Sequence, residues 1–304
     1  MLGTVRVTAP ASTANLGPGF DALGLALDLV DRVEVRVLPD GVRPEVTIRG
    51  VAAGRLPADP QRLLVYRAAA ALYGRIGRPA PPLAVSMDTG IPRSGGLGGS
   101  AAAIVAGLVA ANELNGRPLD RDQLLDLADE IEGHPDNVAA SLLGGLVVVV
   151  RGECGLVARR LDPPAELRAV LCLPFQAIAT KQARGVLPVQ VPMSDAVFNL
   201  GRTALLVAAF ATRDWSPLRE AMDDRLHQPP RGQIYGALFP TIRAALDAGA
   251  HGAALSGSGA AIIALATDHC PEIARAMSSA AAAAGFPNRS IVLALSAQGA
   301  TVDA

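Results

Sequence analysis

Residues 91–101 read Ile-Pro-Arg-Ser-Gly-Gly-Leu-Gly-Gly-Ser-Ala, and an alanine-rich stretch follows directly. Glycines let backbone N–H groups converge on an anion, and a helix that begins at such a loop adds partial positive charge there. This stretch therefore predicts a phosphate-binding loop that opens a helix over residues 100–114. The alternative interpretation is a flexible glycine linker that feeds the same helix.

Two familiar nucleotide-binding motifs do not account for this loop. A Walker A loop ends in Gly-Lys-Ser or Gly-Lys-Thr, whereas the single lysine of the chain, Lys181, lies far from these glycines. Residues 96–101 satisfy the loose pattern G-x-G-x-x-A of dinucleotide-binding folds. The helix predicted after them leads into another helix, however, and not into the second parallel strand that such folds require.

Hydrophobic periodicity and turn-forming residues predict the secondary structure and the domains of the rest of the chain. Residues 10–21 are rich in Ser, Asn, Gly and Pro and predict a loop between two strands, and residues 151–166 predict a crossover between two domains. We place the domains at 1–155 and 156–304 and expect both to be α+β. The other predicted elements are strands at 5–9, 33–37, 83–87, 146–150, 168–173 and 290–295, a strand-turn-strand unit at 252–265, and helices at 60–73, 120–132, 196–211, 238–248 and 272–284.

Composition excludes several classes of function. The 27 basic and 28 acidic residues give a net charge of −1, so no long-range field favours nucleic acid or an anionic membrane as a partner. No run of about 18 apolar residues predicts a membrane span, and the first residues do not resemble a signal peptide. A cytoplasmic location is therefore expected. The three cysteines are widely spaced and show no zinc-ligand spacing.

The glycine-rich loop matches the pattern P-x-x-x-G-L-G-x-S-A-A and resembles the phosphate loop of the GHMP kinases, with Gly99 where the family commonly has a first serine. Further segments resemble the homoserine kinase branch of that family, in the same order along the chain: residues 10–21, 132–139, 180–188, 227–231 and 255–259. The resemblance implies an N-terminal domain like domain 2 of ribosomal protein S5 and a C-terminal ferredoxin-like domain. It also implies ATP and Mg²⁺ as cofactors.

The resemblance assigns residues to the nucleotide and the metal. Ser100 and Glu132 would be the metal ligands, which suits magnesium because it prefers oxygen. The nucleotide-binding residues would be Pro92, Arg93, Ser94, Gly95, Gly96, Leu97, Gly98, Gly99, Ser100 and Ala101. Residues 63–65 depart from the homoserine kinase pattern. They are Leu-Leu-Val, where these kinases commonly have Asn-Leu-Val, and the asparagine that Leu63 replaces contacts adenine in relatives.

The implied substrate is the zwitterion L-homoserine, phosphorylated on its hydroxyl to O-phospho-L-homoserine in threonine biosynthesis. By the resemblance its carboxylate would meet arginines and its ammonium a carboxylate and an amide, which is the expected charge complementarity. The substrate-binding residues would be Arg184, Arg231 and Thr180 at the carboxylate, Asp21 and Asn15 at the ammonium, His134 near the hydroxyl, and Gly257 from the C-terminal motif.

Four residues are expected to be catalytic: Ser100, Glu132, Asn137 and Lys181. Asn137 stands where mevalonate-type kinases carry an aspartate, and an amide cannot act as a general base. We therefore expect the substrate hydroxyl to be oriented by the protein, with its proton leaving to phosphate. Lys181 is the only lysine among 27 basic residues, so the hypothesis for it is that a compact ammonium is required near phosphate or a loop carbonyl.

Two alternatives remain at this stage. Another GHMP kinase, acting on mevalonate, shikimate or a sugar, would not need two arginines and Asp21 arranged for a zwitterion. A catalytically silent relative would bind ATP without turnover, and the presence of Ser100, Glu132 and Asn137 disfavours it. A homodimer is expected from the family alone.

Overall fold

The computed structural model of the chain describes residues 3–93, 95–176 and 180–303, and the side chains of Thr180 and Lys181 are not among the groups it describes. The predictions made for Ser94, Thr180 and Lys181 as side chains therefore fall outside the described part. Within it the strands are β1 (Thr4–Asn15), β2 (Gly19–Val37), β3 (Glu45–Gly50), β4 (Leu83–Thr89), β5 (Leu146–Gly152), β6 (Gly155–Leu161), β7 (Arg168–Pro174), β8 (Gly252–Leu255), β9 (Ile262–Ala266), β10 (Asn288–Ala294) and β11 (Thr301–Val302).

The helices of the described residues include a long central one, α2, that begins at the glycine-rich loop. They are α1 (Leu64–Arg75), α2 (Gly99–Leu114), α3 (Arg121–Glu132), α4 (Pro135–Leu143), α5 (Thr180–Gly185), α6 (Met193–Thr212), α7 (Leu218–Ala221), α8 (Gln228–Ile234), α9 (Leu238–Asp247) and α10 (Cys270–Ala283). A short 3₁₀ turn at Pro60–Arg62 precedes α1.

The strands form two sheets. The larger has the order β11-β1-β2-β4-β3, with β5 joining β2 and β6 joining β5, and its pairs are antiparallel except β3 with β4. The smaller has the order β10-β7-β9-β8 and is antiparallel throughout. Helices α2 and α4 pack on β1 and β2, whereas α9 and α10 pack against the smaller sheet. The α+β class is therefore confirmed.

The composition of α2 explains its central place. Its residues from Ala101 to Ala106 are all buried, and most are alanine, so neighbouring elements can approach its backbone closely. The closest approach is at Gly107, where an added Cβ would lie 2.3 Å from the carbonyl oxygen of Val65 in α1. Small side chains thus allow α2, the helix that begins at the phosphate loop, to lie in the middle of the core.

The kind of structure predicted from the sequence was wrong for two segments. Residues 10–15 are the end of β1 and not a loop, because Ser12, Thr13 and Asn15 are buried polar residues whose side chains find hydrogen-bond partners far away in the sequence. Residues 155–161 form an edge strand and not a crossover. Its exposed side carries Val157 and Arg159, since only one face of β6 packs on the core.

The division of the chain into 1–155 and 156–304 stays a prediction. The larger sheet continues through β6 to Leu161, and the smaller one begins with β7 at Arg168. The chain also returns to the larger sheet at its end, where β11 pairs with β1. Residues of β7 and β9 share one hydrophobic core with the larger sheet.

Candidate active site

The glycine-rich loop is fixed at three points before α2 begins. The backbone N–H of Ile91 donates to the buried carboxylate of Asp31 at 2.9 Å, and the N–H of Ser12 donates to the Leu97 carbonyl at 3.1 Å. On the other side, the Ser256 hydroxyl donates to the Gly96 carbonyl at 2.5 Å. The loop is thus held between β1 and the turn after β8, with its conformation set before any ligand arrives.

Two adjacent glycines of this loop differ in what they require. Gly98 has φ +65°, and an added Cβ would lie 2.1 Å from the Ser12 hydroxyl and 3.0 Å from the Asn137 amide nitrogen. Gly99 has ordinary helical geometry, and its nearest neighbour would be the Ile91 side chain at 3.5 Å. Only Gly98 therefore needs to be glycine for steric reasons.

We expect Gly98→Ala to lower the free energy of unfolding by about 2–4 kcal/mol, because it combines left-handed backbone strain with overpacking. ATP affinity should fall with it. Gly99→Ala is the matched control and should change the free energy of unfolding by less than about 1 kcal/mol. Urea unfolding and calorimetric ATP binding measure both effects. Equal stabilities of the two variants would contradict the assignment.

The end of α3 meets the beginning of α2 at the cleft. The Ser100 hydroxyl donates to the Glu132 carboxylate at 2.5 Å, and α3 ends directly after Glu132 at Gly133, whose φ is +90°. Arg93 lies close by and donates to the Gly99 carbonyl at 3.2 Å. Burial lowers the pKa of Arg93, while the charges of Asp31 and Glu132 oppose that shift.

The first turn of α4 carries a second group of polar residues. Asp136 is 1% exposed, and its Oδ1 lies 2.8 Å from His134 Nδ1 and accepts the Asn137 N–H at 2.8 Å. Burial opposes protonation of His134, but the hydrogen bond and charge of Asp136, together with Glu132, raise its pKa. Asn137 Nδ2 donates to the Ser12 hydroxyl at 3.0 Å.

Asp21 and Arg184 form a bidentate ion pair across the cleft, with distances of 2.7 and 2.9 Å. The hydrogen bond to Asp21 raises the pKa of Arg184 against the opposing effect of burial. Asn15 orders this corner, because its Oδ1 accepts the Asp21 N–H at 3.0 Å and its Nδ2 donates to the Gly257 carbonyl at 2.9 Å. The sequence predicted opposite roles for Asp21 and Arg184; in the structure they neutralise each other.

Arg231 is the most deeply placed cation of the site, at 2% exposed. It donates to the carbonyls of Ala183 at 3.2 Å and Gly257 at 3.0 Å, and its Nη1 lies 3.0 Å from His227 Nδ1. Burial and the charge of Arg184 lower its pKa to about 10, so the guanidinium is protonated at neutral pH. The Phe20 ring lies 5.5 Å from the guanidinium carbons of both Arg184 and Arg231.

These groups surround one cleft of about 260 Å³. The predicted residues that line it are Asn15, Asp21, Pro92, Arg93, Gly95, Gly96, Leu97, Gly98, Gly99, Ser100, Glu132, His134, Asn137, Arg184, Arg231 and Gly257. Ala101 is not among the lining residues, because it is fully buried in the core. Leu63 is likewise core, 1% exposed, and supplies no side-chain hydrogen bond at the start of α1.

Sequence reasoning missed several polar residues that support the site. Asp136 lies in the segment 132–139. The sequence feature that could have indicated its role is the Asp-Asn pair directly after the proline that begins α4. Ser12 lies in the segment mistaken for a loop. Asp224 precedes α8 and accepts hydrogen bonds from Leu226, His227 and Gln228 backbone N–H groups, which a single sequence does not reveal.

Two family models match the chain: the N-terminal domain of GHMP kinases at residues 64–145, and the C-terminal domain of GHMP kinases at residues 206–283. The chain belongs to the GHMP kinase family. The resemblance and the two-domain α+β fold that it implied are thereby confirmed. Among the described residues of this GHMP kinase, no helix combines the length and apolar character that a bilayer crossing needs.

Relatives of this GHMP kinase lie in the branch that the motifs indicated. A homoserine kinase of Desulfitobacterium hafniense is 41% identical over 98% of this chain and 99% of its own length. One of Moorella thermoacetica is 43% identical over 92% of this chain and 93% of its own. The crystal structure of homoserine kinase from Cytophaga hutchinsonii matches with a TM-score of 0.88 at 34% identity, covering 99% of this chain and 97% of that one.

Proposed function

We propose that this GHMP kinase transfers the γ-phosphoryl group of ATP to the hydroxyl of L-homoserine, giving O-phospho-L-homoserine and ADP for threonine biosynthesis. One observation carries the proposal. A single cleft is lined by the phosphate loop and also by Asp21, by its ion-pair partner Arg184 and by Arg231. That combination suits a zwitterionic alcohol, and the relatives that share 41% and 43% identity are homoserine kinases.

The amino-acid end of the cleft can recognise both charges of the substrate. Arg231 is protonated and rigidly held through Nε and Nη1, so its Nη2 can donate to a carboxylate beside Arg184. Asp21 can accept the ammonium with the help of the Asn15 side chain. Thr180 belongs to the same proposal through its motif, although its side chain is outside the described groups.

The nucleotide end suits ATP with Mg²⁺. The backbone N–H groups at the start of α2 and the positively charged Arg93 fit the triphosphate. Ser100 and Glu132 place two hard oxygens side by side where the phosphates would lie, and this donor set fits a small divalent cation. When bound, such a cation neutralises the charge that develops on the transferred phosphoryl group.

We assign the hydroxyl-orienting role to His134 and Asn137, and no residue to the role of a dedicated base. Asn137 is 7% exposed and its amide nitrogen already donates to Ser12, so the side chain has a fixed orientation. His134 Nδ1 is engaged by Asp136. Alignment of the hydroxyl with the γ-phosphate then supplies most of the rate, and the proton leaves to phosphate.

We expect Asn137→Asp to lower kcat by about tenfold or more and to produce no new acidic limb in the pH profile. The carboxylate cannot donate to the Ser12 carbonyl and hydroxyl, so two acceptors would face each other in a buried place, at a cost of about 1–3 kcal/mol. Steady-state kinetics between pH 5 and pH 9 measure this. A higher kcat together with a new limb at acid pH would show that a carboxylate base is used.

The deciding experiment is Mg²⁺-dependent ADP release by the purified protein with L-homoserine. L-Serine, L-threonine, mevalonate, shikimate and galactose are the parallel acceptors, and phosphorus NMR identifies the product. We expect turnover confined to L-homoserine. Turnover with mevalonate, shikimate or galactose would identify another GHMP kinase, and ATP binding without any turnover would identify a silent relative.

A further inference from the structure

His227 is a buried titratable side chain near the cleft that the proposed reaction does not use. It is 1% exposed and lies directly before α8, the helix that carries Arg231. Its Nε2 lies 2.7 Å from the Gly17 carbonyl oxygen and its Nδ1 lies 3.0 Å from Arg231 Nη1. The imidazole thus bridges the turn between β1 and β2 to the deepest arginine of the site.

The two neighbours fix which ring nitrogen carries the proton. A carbonyl oxygen only accepts, so Nε2 must donate to Gly17; a guanidinium only donates, so Nδ1 must accept from Arg231. His227 is therefore neutral, with its proton on Nε2. A second proton on Nδ1 would point at a guanidinium nitrogen 3.0 Å away and add a like charge.

The groups around His227 favour the neutral ring with its proton on Nε2. Asp224 approaches Nε2 only to 3.6 Å, and its two oxygens already accept four hydrogen bonds, from Leu226, His227 and Gln228 N–H groups and from the Asn199 amide. The Phe20 ring packs at 5.3 Å on the other side. Burial and the Arg231 charge lower the pKa of His227, while Asp224, the Gly17 hydrogen bond and Asp21 oppose that shift.

The bridge joins the two ends of the amino-acid site. Gly17 lies in the turn between Asn15 and the start of β2, where Asp21 is, and Arg231 donates from α8 to the same Gly257 carbonyl as Asn15. The turn packs closely on the residue after α7, because a Cβ at Gly17 would lie 2.1 Å from the Met222 carbonyl oxygen. The position of Arg231 relative to this turn therefore depends on the imidazole between them.

We propose that His227 is a positioning residue that, as a neutral imidazole between Gly17 and Arg231, sets the separation between the carboxylate-binding and ammonium-binding ends of the amino-acid site. The proposal rests on the proposed function for the identity of the amino acid. Protonation of His227 turns the acceptor of the bridge into a donor, so amino-acid affinity falls only where the pH is well below the ordinary histidine value of about 6.5, because burial lowers the pKa of His227. The nucleotide end contains no part of the bridge and keeps its affinity.

Variants at this position test the bridge. His227→Phe keeps a ring against Phe20 but removes the acceptor, and we expect the KM for L-homoserine to rise about tenfold or more, with the KM for ATP unchanged within about twofold. His227→Asn places an oxygen near the position of Nδ1, so its KM for L-homoserine should be within about threefold of wild type. This KM should also not rise at acid pH, because the amide does not titrate. His251→Gln, a half-buried histidine bonded to Thr267, is the matched control.

A second measurement does not depend on folding of variants or on the substrate. The chain has four histidines, so nitrogen-15 NMR of the wild-type protein can resolve each ring. We expect the His227 signals to show a protonated Nε2 and an unprotonated Nδ1 at pH 7. A proton on Nδ1, or an unchanged KM for L-homoserine in a folded His227→Phe, would overturn the proposal. Absence of wild-type turnover with L-homoserine would refute the proposed function instead, and the ring assignment would still decide the bridge.

Discussion

Glu132→Gln is expected to lower kcat by about 10²–10³-fold, the size of effect that follows removal of one group stabilising transition-state charge. The amide keeps the size of the side chain and can still accept from the Ser100 hydroxyl, so the fold should persist. What it loses is the negative charge beside the phosphate loop. The Mg²⁺ concentration for half-maximal rate should therefore rise as well.

The matched control for this change lies on the same helix. Glu130 is exposed and pairs with Arg75 on the surface, so Glu130→Gln should leave kcat within about twofold. Steady-state kinetics across a Mg²⁺ titration, with calorimetric ATP binding in parallel, separate a loss of chemistry from a loss of nucleotide affinity. If Glu132→Gln kept wild-type kcat, Glu132 would have no role at the metal.

Arg231→Lys is expected to raise the KM for L-homoserine by about 10–150-fold, because a hydrogen bond to a charged group contributes about 1.5–3 kcal/mol. Lysine keeps the charge but has one nitrogen, which cannot reach Ala183, Gly257 and a carboxylate at the same time. The KM for ATP should not change. This separation between the two substrates distinguishes a binding role from general loss of structure.

Arg225→Lys provides the comparison for Arg231→Lys. Arg225 stacks on Phe198 at 3.8 Å and its ion pair with Asp195 is half-exposed, so replacement there should leave both KM values within about twofold. Initial-rate kinetics with each substrate varied in turn measure all four constants. An unaltered KM for L-homoserine in Arg231→Lys would remove Arg231 from the amino-acid site.

The sequence was informative wherever the pattern is local. Four glycines and a serine before an alanine-rich run predicted both the phosphate loop and α2, because backbone freedom and helix polarity act over a few residues. Motif residues scattered between Asn15 and Gly257 were predicted to meet, and they line one cleft. Their individual chemical roles stay proposals.

Long-range pairing was beyond the reach of sequence reasoning. The same Ser, Thr and Asn composition suits a loop or a strand whose side chains find distant partners. Residues 10–15 are a strand because Asn15 meets Gly257 and Thr13 meets Ser256 across more than half of the chain. The hydrogen bond from Asn199 in α6 to Asp224 likewise joins distant residues, whereas the other three on Asp224 come from backbone N–H groups within four residues of it.

The Asp21–Arg184 ion pair has a consequence for selectivity. Without substrate the two groups neutralise each other. A ligand with only a carboxylate, such as a hydroxy acid, would draw Arg184 away and leave the Asp21 charge with no cation in exchange. An amino alcohol would do the reverse. Only a ligand with both a carboxylate and an ammonium gives Arg184 and Asp21 each a new partner of opposite charge. The ion pair of the free protein therefore disfavours singly charged analogues of the substrate, because each of them would leave either Asp21 or Arg184 without a counter-charge.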